Sequence, residues 1–295
     1  MARVEKSRVL WAASRPAQLL LIAGVYVLGV KIADASGVTV SLAALVVGLG
    51  VLLPIAVSVH YANEYADYET DALTDRTPFS GGSGALPASG LDRRVVRRAA
   101  VWLLAFGLGL ALLFTASGVL PPVALALLAL IAVFGWQYSL GPLELAWRGW
   151  GELDNAALGG LVLPVYGAAV VGGPLGHVAL ASIPFFLVVL LNLFATQWPD
   201  READAAVGKN TLAVQWPRQR LRAVYVSVAL LAAVAVVVLQ PTVLPRPVAL
   251  ASVVAAPLLV VGALGYTRRH VPWLTVTAMV TLALAQFAAW CWVAV

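Results

Sequence analysis

The sequence predicts an all-α polytopic membrane protein: nine transmembrane helices around a central polar cavity that opens toward the cytoplasm. Three observations predict it. Of 295 residues, 61% are hydrophobic and only 11% are charged, with a mean hydropathy of +0.91, which is too apolar for a water-soluble chain of this length. Apolar runs of about 20 residues, the length that crosses a bilayer as a helix, recur along the whole chain. The basic residues fall beside these runs in an alternating pattern.

Taken in order, residues 1–15 form a short basic arm carrying Arg3, Lys6, Arg8 and Arg15. The first span is expected over 17–33. Ala33-Asp34-Ala35 resembles a signal-peptidase site, but the apolar run is long for a signal h-region and reads as a retained span. Further spans are expected over 39–62, 96–116, 121–140, 153–172, 178–198, 220–240, 247–266 and 273–294. Gly/Pro joints such as Pro121-Pro122 and Gly172-Gly173-Pro174 separate several of them. No soluble insertion or low-complexity tail interrupts the series, so residues 1–295 read as one membrane domain.

Orientation follows from a count. With the N-terminus inside, 17 of the 19 Lys and Arg lie on inner segments, and only Lys31 and Arg246 fall outside. This bias puts the N-terminus in the cytoplasm and the C-terminus outside a multi-pass cell-membrane protein. The net charge of +5 belongs to this topology and does not point to nucleic acid. The single Cys291 excludes an internal disulfide and any multi-cysteine metal site.

Two acidic stretches stand where charge is costly, each at the cytoplasmic end of an apolar run. The first is Asn63-Glu-Tyr-Ala-Asp67-Tyr-Glu-Thr-Asp71. Asn63, Asp67 and Asp71 recur every four residues, which places them on one face of a helix. Carboxylates so close repel one another unless a hard divalent cation sits between them. The second stretch, Asp200-Arg-Glu-Ala-Asp204, repeats the spacing, with Glu202 on another face. The two stretches are expected to face each other across one cavity and to hold divalent metal and, through it, a diphosphate. The loop Thr74 to Leu86 contains Gly81-Gly82-Ser83-Gly84, whose backbone N–H groups can turn toward an anion. Arg76 and Lys209 are candidates for the diphosphate oxygens.

Other polar residues lie at the same mouth. Arg148 and Glu152, on the loop between spans four and five, either bind an acidic acceptor or pair with each other. Tyr138, Asn192 and Trp198 are candidate cavity residues. His60 reads as a packing residue. Arg93, Arg94, Arg97 and Arg98 read as topology and headgroup contacts.

These motifs resemble the UbiA superfamily of intramembrane prenyltransferases: Asn-x-x-x-Asp-x-x-x-Asp after span two and Asp-x-x-x-Asp after span six of a nine-helix chain. Gly81-Gly82-Ser83-Gly84 with Leu86, Asp204-x-x-x-Gly208-Lys209-x-Thr211-Leu212, and Gly141-Pro142 to Arg148-Gly149-x-Gly151-Glu152 look like the 1,4-dihydroxy-2-naphthoate branch, which serves menaquinone synthesis. The chain departs from the pattern at Glu64, where Asp usually follows Asn, and at Trp198-Pro199 before Asp200. The resemblance implies two Mg²⁺ ions held by Asn63, Asp67, Asp71, Asp200 and Asp204, a polyprenyl diphosphate donor bound through them, and an aromatic acceptor. It further implies ionisation of the allylic C–O bond, with aromatic residues such as Tyr138 and Trp198 facing the carbocation. Membrane lipids are the surroundings, and no obligate protein partner is evident. Other acceptors (phenol, tetrapyrrole, sugar phosphate or glycerophosphate lipid) and a terpene cyclase stay open. So does a cation-coupled transporter, whose site would lie nearer mid-bilayer.

Overall fold

In a computed structural model, residues 2–294 are described, with side chains from Glu5 onward; the Arg3 side chain counted above lies outside the described residues. Among the described residues, nine helices are long and apolar enough to cross a membrane. We label them α1 (Pro16–Ala35), α2 (Leu42–Ala66), α3 (Arg94–Ala116), α4 (Pro122–Ser139), α5 (Gly151–Val170), α6 (Leu175–Gln197), α7 (Arg218–Val238), α8 (Arg246–Gly265) and α9 (Trp273–Val293). Each lies within a few residues of its expected span. The basic arm is itself a helix, Ala2–Ala13.

Helix starts and irregularities follow local chemistry. Pro16 and Pro122 open α1 and α4 at positions where a missing N–H costs nothing. The Ser41 hydroxyl accepts from Ala44 N to start α2. Helix α5 contains a π-turn over Leu158–Val162, centred on Gly159-Gly160. Helix α8 is interrupted between Val253 and Ala256.

Helices α5 and α6 are the most enclosed, and α3 and α7 the least. α1 packs along the second half of α5 and on α9. α6 packs on α5, α7 and α9; α2 packs on α3 and α4. Large apolar side chains such as Trp102, Leu113, Leu230 and Val237 are exposed on the outer faces of α3 and α7, as expected for surfaces that meet lipid. Because lipid tails are as apolar as leucine, helices associate here by close packing through small residues. The α1–α5 pair shows it. A Cβ on Gly29 would lie 1.9 Å from the Pro164 carbonyl oxygen, and one on Gly167 would lie 2.3 Å from the Tyr26 carbonyl oxygen. Beside this contact, the Tyr26 and Tyr166 hydroxyls donate to the carbonyls of Leu45 and Gly48 on α2.

This packing gives a prediction. Gly29→Ala and Gly167→Ala each force backbone apart and lower stability by about 1–3 kcal/mol or more. Gly24→Ala, with open space around it on the same helix, leaves stability unchanged. Thermal unfolding of the three variants in detergent, followed by the loss of monodisperse protein, checks this.

Candidate active site

The first acidic stretch begins inside α2 and leaves it at a break. Asp67 ends α2, and a short helix, Tyr68–Leu73, resumes at once. The i→i+4 backbone bonds Asp67 N to Asn63 O (2.8 Å) and Asp71 N to Asp67 O (2.7 Å) run through the break, so the expected four-residue repeat survives although the helix is not continuous. The Asn63 amide donates to Asp67 Oδ2 at 2.8 Å and to Ser139 Oγ at 3.0 Å. The second stretch leaves α6 in the same way. Asp200 caps the short helix Arg201–Ala206, and Asp204 N bonds Asp200 O at 2.8 Å. Gly208, at φ 80°, then turns the chain back, and Lys209 N reaches Asp204 O at 2.9 Å.

That turn delivers the Lys209 ammonium between the two stretches. Its Nζ donates to Asp67 Oδ1 at 3.0 Å and lies 3.6 Å from Asp204 Oδ1. All three side chains are nearly buried. Burial opposes the charge on Lys209, but Asp67 and Asp204, with Tyr138 adding to them, outweigh it and hold the lysine pKa above its ordinary value.

A glycine-rich loop closes over this pair. Ser83 donates its backbone N–H to Glu64 Oε1 (2.7 Å) and its hydroxyl to Glu64 Oε2 (2.6 Å). Gly81 N donates to Asp200 Oδ2 at 3.1 Å. The loop is thereby pinned to both acidic stretches. It comes so near the first that a Cβ on Gly82, whose φ is +59°, would lie 1.9 Å from Asp71 Oδ2; only glycine fits that approach. Glu64 is itself buried and paired with Arg15, whose Nη2 lies 2.7 Å from Oε1 and also donates to Asn63 Oδ1 at 2.8 Å.

Three carboxylate oxygens at the site are buried and accept no hydrogen bond: Asp71 Oδ2, Asp200 Oδ1 and Asp204 Oδ1. Burial is the main reason their carboxyls titrate high. Asp71 is pushed up to about 7, with Asp67 and Glu64 adding repulsion; Asp204 rises to about 7 and Asp200 to about 6, with Lys209 opposing both shifts. Oxygens of this kind suit a hard divalent cation. Among the described residues no three carboxylates or imidazoles stand close enough to form a complete ligand cage. The free oxygens instead form open half-sites on each stretch, the donor set expected for Mg²⁺, which keeps waters and completes its shell with substrate phosphate.

The profile of the UbiA prenyltransferase family matches residues 21–272. The chain belongs to the UbiA prenyltransferase family. It is 32% identical over 210 residues to the digeranylgeranylglyceryl phosphate synthase of Thermococcus gammatolerans, an alignment that covers 70% of this chain and 68% of that protein. Its fold superposes on a UbiA homologue from Archaeoglobus fulgidus bound to DMAPP and Mg²⁺ with a TM-score of 0.68 at 19% identity, covering 96% of this chain and 98% of that one. An apo UbiA homologue from Aeropyrum pernix K1 gives 0.67 at 16% identity over 89% and 96%. This UbiA family member is therefore a multi-pass membrane prenyltransferase.

The structure brings Asn63, Asp67, Asp71, Asp200, Asp204 and Lys209 to one end of the bundle. Glu202 points outward, as expected, and pairs with Arg201. Arg76, expected on the diphosphate, donates instead to the carbonyls of Gly81 and Gly82, both at 3.0 Å, and so holds the loop in shape. The Arg148–Glu152 pair is not formed: Arg148 is exposed at the end of a single 3₁₀ turn, whereas buried Glu152 accepts from Leu212 N at 2.8 Å. Tyr138 packs beside Gly151. Asn192 Oδ1 is buried without a partner. Trp198 is buried, and the Arg201 guanidinium lies 3.9 Å from its ring centroid, so that part of its π-system already faces a cation. His60 is a packing residue, with Nδ1 2.8 Å from Ser14 O.

Sequence reasoning missed the Arg15–Glu64–Ser83 chain, although Glu64 stood out as a departure from the motif. It also missed Asp154, whose Oδ2 is buried and unpartnered in the first turn of α5.

Two predictions follow from this geometry. Each of Asp71, Asp200 and Asp204 has a higher pKa folded than unfolded, so the apo fold holds extra protons between about pH 4 and 7 and loses stability as pH rises through that window. Mg²⁺ must displace those protons, so its affinity rises over the same range, by up to about tenfold per pH unit for each carboxyl displaced. Calorimetric titration in two buffers of different protonation enthalpy reads the released protons directly. Separately, Glu64→Ala leaves Arg15 without its carboxylate and Ser83 without its anchor, at a cost of about 3–5 kcal/mol. The expected result is a lower melting temperature together with faster proteolysis between residues 74 and 84.

Proposed function

We propose that this enzyme transfers a polyprenyl group from a polyprenyl diphosphate to a membrane-borne acceptor in a Mg²⁺-dependent reaction, and that the acceptor is a glycerophosphate lipid. The observation that carries the donor half is the set of buried carboxylate oxygens that accept no hydrogen bond on two facing stretches, with the Lys209 ammonium between them. The 32% identity to a digeranylgeranylglyceryl phosphate synthase supports the acceptor half. We also place the acidic end of the bundle in the cytoplasm, on the strength of the Lys and Arg bias.

In this reading Asp67, Asp71, Asp200 and Asp204 hold the metal. Bound there, Mg²⁺ supplies Lewis-acid neutralisation of the diphosphate leaving group. Lys209 shifts from bridging two carboxylates to offsetting charge on the departing diphosphate. Asn63, held by Arg15 and Ser139, keeps Asp67 oriented. The glycine-rich loop, shaped by Arg76 and pinned to both stretches, covers the site and limits water, so the allylic cation meets the acceptor rather than solvent. Tyr138 precedes Ser139, which accepts from the Asn63 amide at 3.0 Å, and in this reading forms part of the same wall. The new bond forms between the allylic carbon and the acceptor nucleophile, and the nucleophile's proton leaves.

A second reading keeps 1,4-dihydroxy-2-naphthoate as acceptor. It is favoured by Gly81-Gly82-Ser83-Gly84, whose three glycines all take positive φ in the structure, and by the turn through Gly208 that places Lys209.

The test uses purified protein in nanodiscs with Mg²⁺ and geranylgeranyl diphosphate. Geranylgeranylglyceryl phosphate, 1,4-dihydroxy-2-naphthoate or no acceptor is supplied, and diphosphate release and lipid products are both followed. A prenylated glycerophosphate supports the proposal, and a prenylated naphthoate moves the enzyme to the second reading. Asp67→Ala and Asp204→Ala are each expected to reduce turnover by about 10²–10³-fold; unchanged turnover in both would refute the metal site.

A further inference from the structure

Five arginines from three separate segments line one open cleft of about 410 Å³ beside the acidic site: Arg201, Arg218, Arg222, Arg268 and Arg269, of which Arg218, Arg268 and Arg269 are exposed. Arg201 comes from the second acidic stretch, Arg218 and Arg222 from the start of α7, and the last two from the turn between α8 and α9. Among the described residues no carboxylate lines the cleft, and the acid paired with these arginines, Glu202, is exposed outside it. Charges that only set topology have no reason to converge. Convergence of like charges is a cost that an anion removes, and guanidinium forks match phosphate oxygens in pairs.

The turn that supplies two of these arginines is strained. Thr267 is buried and β-branched yet sits at φ 60°, a conformation that such residues rarely adopt. Arg222 holds it there, its Nε donating to Thr267 Oγ1 at 2.6 Å and to Tyr266 O at 3.2 Å. Strain of this kind persists where placement of the next residues matters, here Arg268 and Arg269.

A second cavity of about 410 Å³ adjoins the first and shares Trp198, Thr267, Arg269 and His270 with it, but its further walls are largely apolar, among them Ala195, Trp273 and Leu274. The Tyr266 hydroxyl is buried there without a partner. Phe79, from the glycine-rich loop, packs edge-on against Trp273 with ring centroids 4.5 Å apart, which links this channel to the loop over the acidic site. A basic chamber joined to an apolar one fits a molecule with an anionic head and an apolar chain.

We propose that the arginine chamber binds the phosphate monoester of a membrane amphiphile and that the Tyr266–Trp273 channel takes its chain. Trp198, two residues before Asp200, forms a wall of both chambers, so the head lies beside the diphosphate site. That this amphiphile is the acceptor rests on the proposed function; the binding site does not.

The experiment measures binding of radiolabelled oleoyl lysophosphatidate to the full chain in phosphatidylcholine nanodiscs, with lysophosphatidylcholine and inorganic phosphate as competitors. Three proteins are compared: the unaltered chain, Arg268→Gln/Arg269→Gln, and Arg94→Gln/Arg98→Gln, which removes equal charge from the start of α3. The expected result is a loss of about tenfold in the first variant only, with recovery in Arg268→Lys/Arg269→Lys and little competition from lysophosphatidylcholine. Equal losses in both glutamine variants, or none in either, overturn the proposal. Inorganic phosphate competing as well as the lipid overturns the chain channel. The KM for geranylgeranylglyceryl phosphate then separates the occupants. A rise of about tenfold in Arg268→Gln/Arg269→Gln assigns the site to the acceptor. An unchanged KM with lost lipid binding assigns it to a resident anionic lipid. If no phosphate-bearing acceptor is prenylated at all, the proposed function fails while the binding comparison still decides the site.

Discussion

The placement of one ammonium group between two acidic stretches is the constraint on which the rest of this site depends. Asp67 and Asp204 come from segments 137 residues apart in sequence, and Lys209 touches both. Without a cation between them, buried carboxylates this close would repel each other or take up protons. Lys209 therefore acts as a counter-ion to both carboxylates. The raised pKa values of Asp71 and Asp204 come mainly from burial, which Lys209 opposes without cancelling.

The bundle serves this arrangement by keeping two helix ends in register. Helices α2 and α6 both break at their acidic stretches, and backbone bonds that run across each break keep the carboxylates at four-residue spacing. The glycine-rich loop then ties the two ends together through Glu64 and Asp200. Its anchor, the Arg15–Glu64 pair, connects the start of α1 to the end of α2. The site is thus held by α1, α2 and α6 at once, while α3 and α7 face lipid.

A site at the end of a bundle also fits the substrates proposed here. A prenyl diphosphate has a charged head and a long apolar chain, and the acceptor proposed here has the same form. Two reactants of this kind need two adjacent headgroup pockets at one depth, each continued by an apolar path. The carboxylate–lysine site and the arginine chamber meet that requirement with charges of opposite character. In the proposed reading the first would take the diphosphate through metal, and the second the phosphate directly.

Much of this was legible in the sequence because the bilayer simplifies the problem. A spanning segment must satisfy its own backbone hydrogen bonds, so length and hydropathy fixed nine helices to within a few residues, and Asp67, Asp71, Asp200 and Asp204 stood out because acids are rare there. What the sequence could not show is how polar side chains pair across the fold. Arg76 and Lys209 look alike as basic residues after an acidic stretch, yet Arg76 bonds its own loop and Lys209 bridges two segments; the difference lies in where each turn sends the side chain. Glu64 read as a departure from a motif, and only packing against Arg15 and Ser83 gave it a role. Arg201, Arg218, Arg222, Arg268 and Arg269 read as topology charges because their convergence exists only in three dimensions. Sequence by itself determined the spans and the acidic chemistry, since both depend on local composition. Tertiary structure alone decided which charges meet, since pairing depends on distances between segments far apart in the chain.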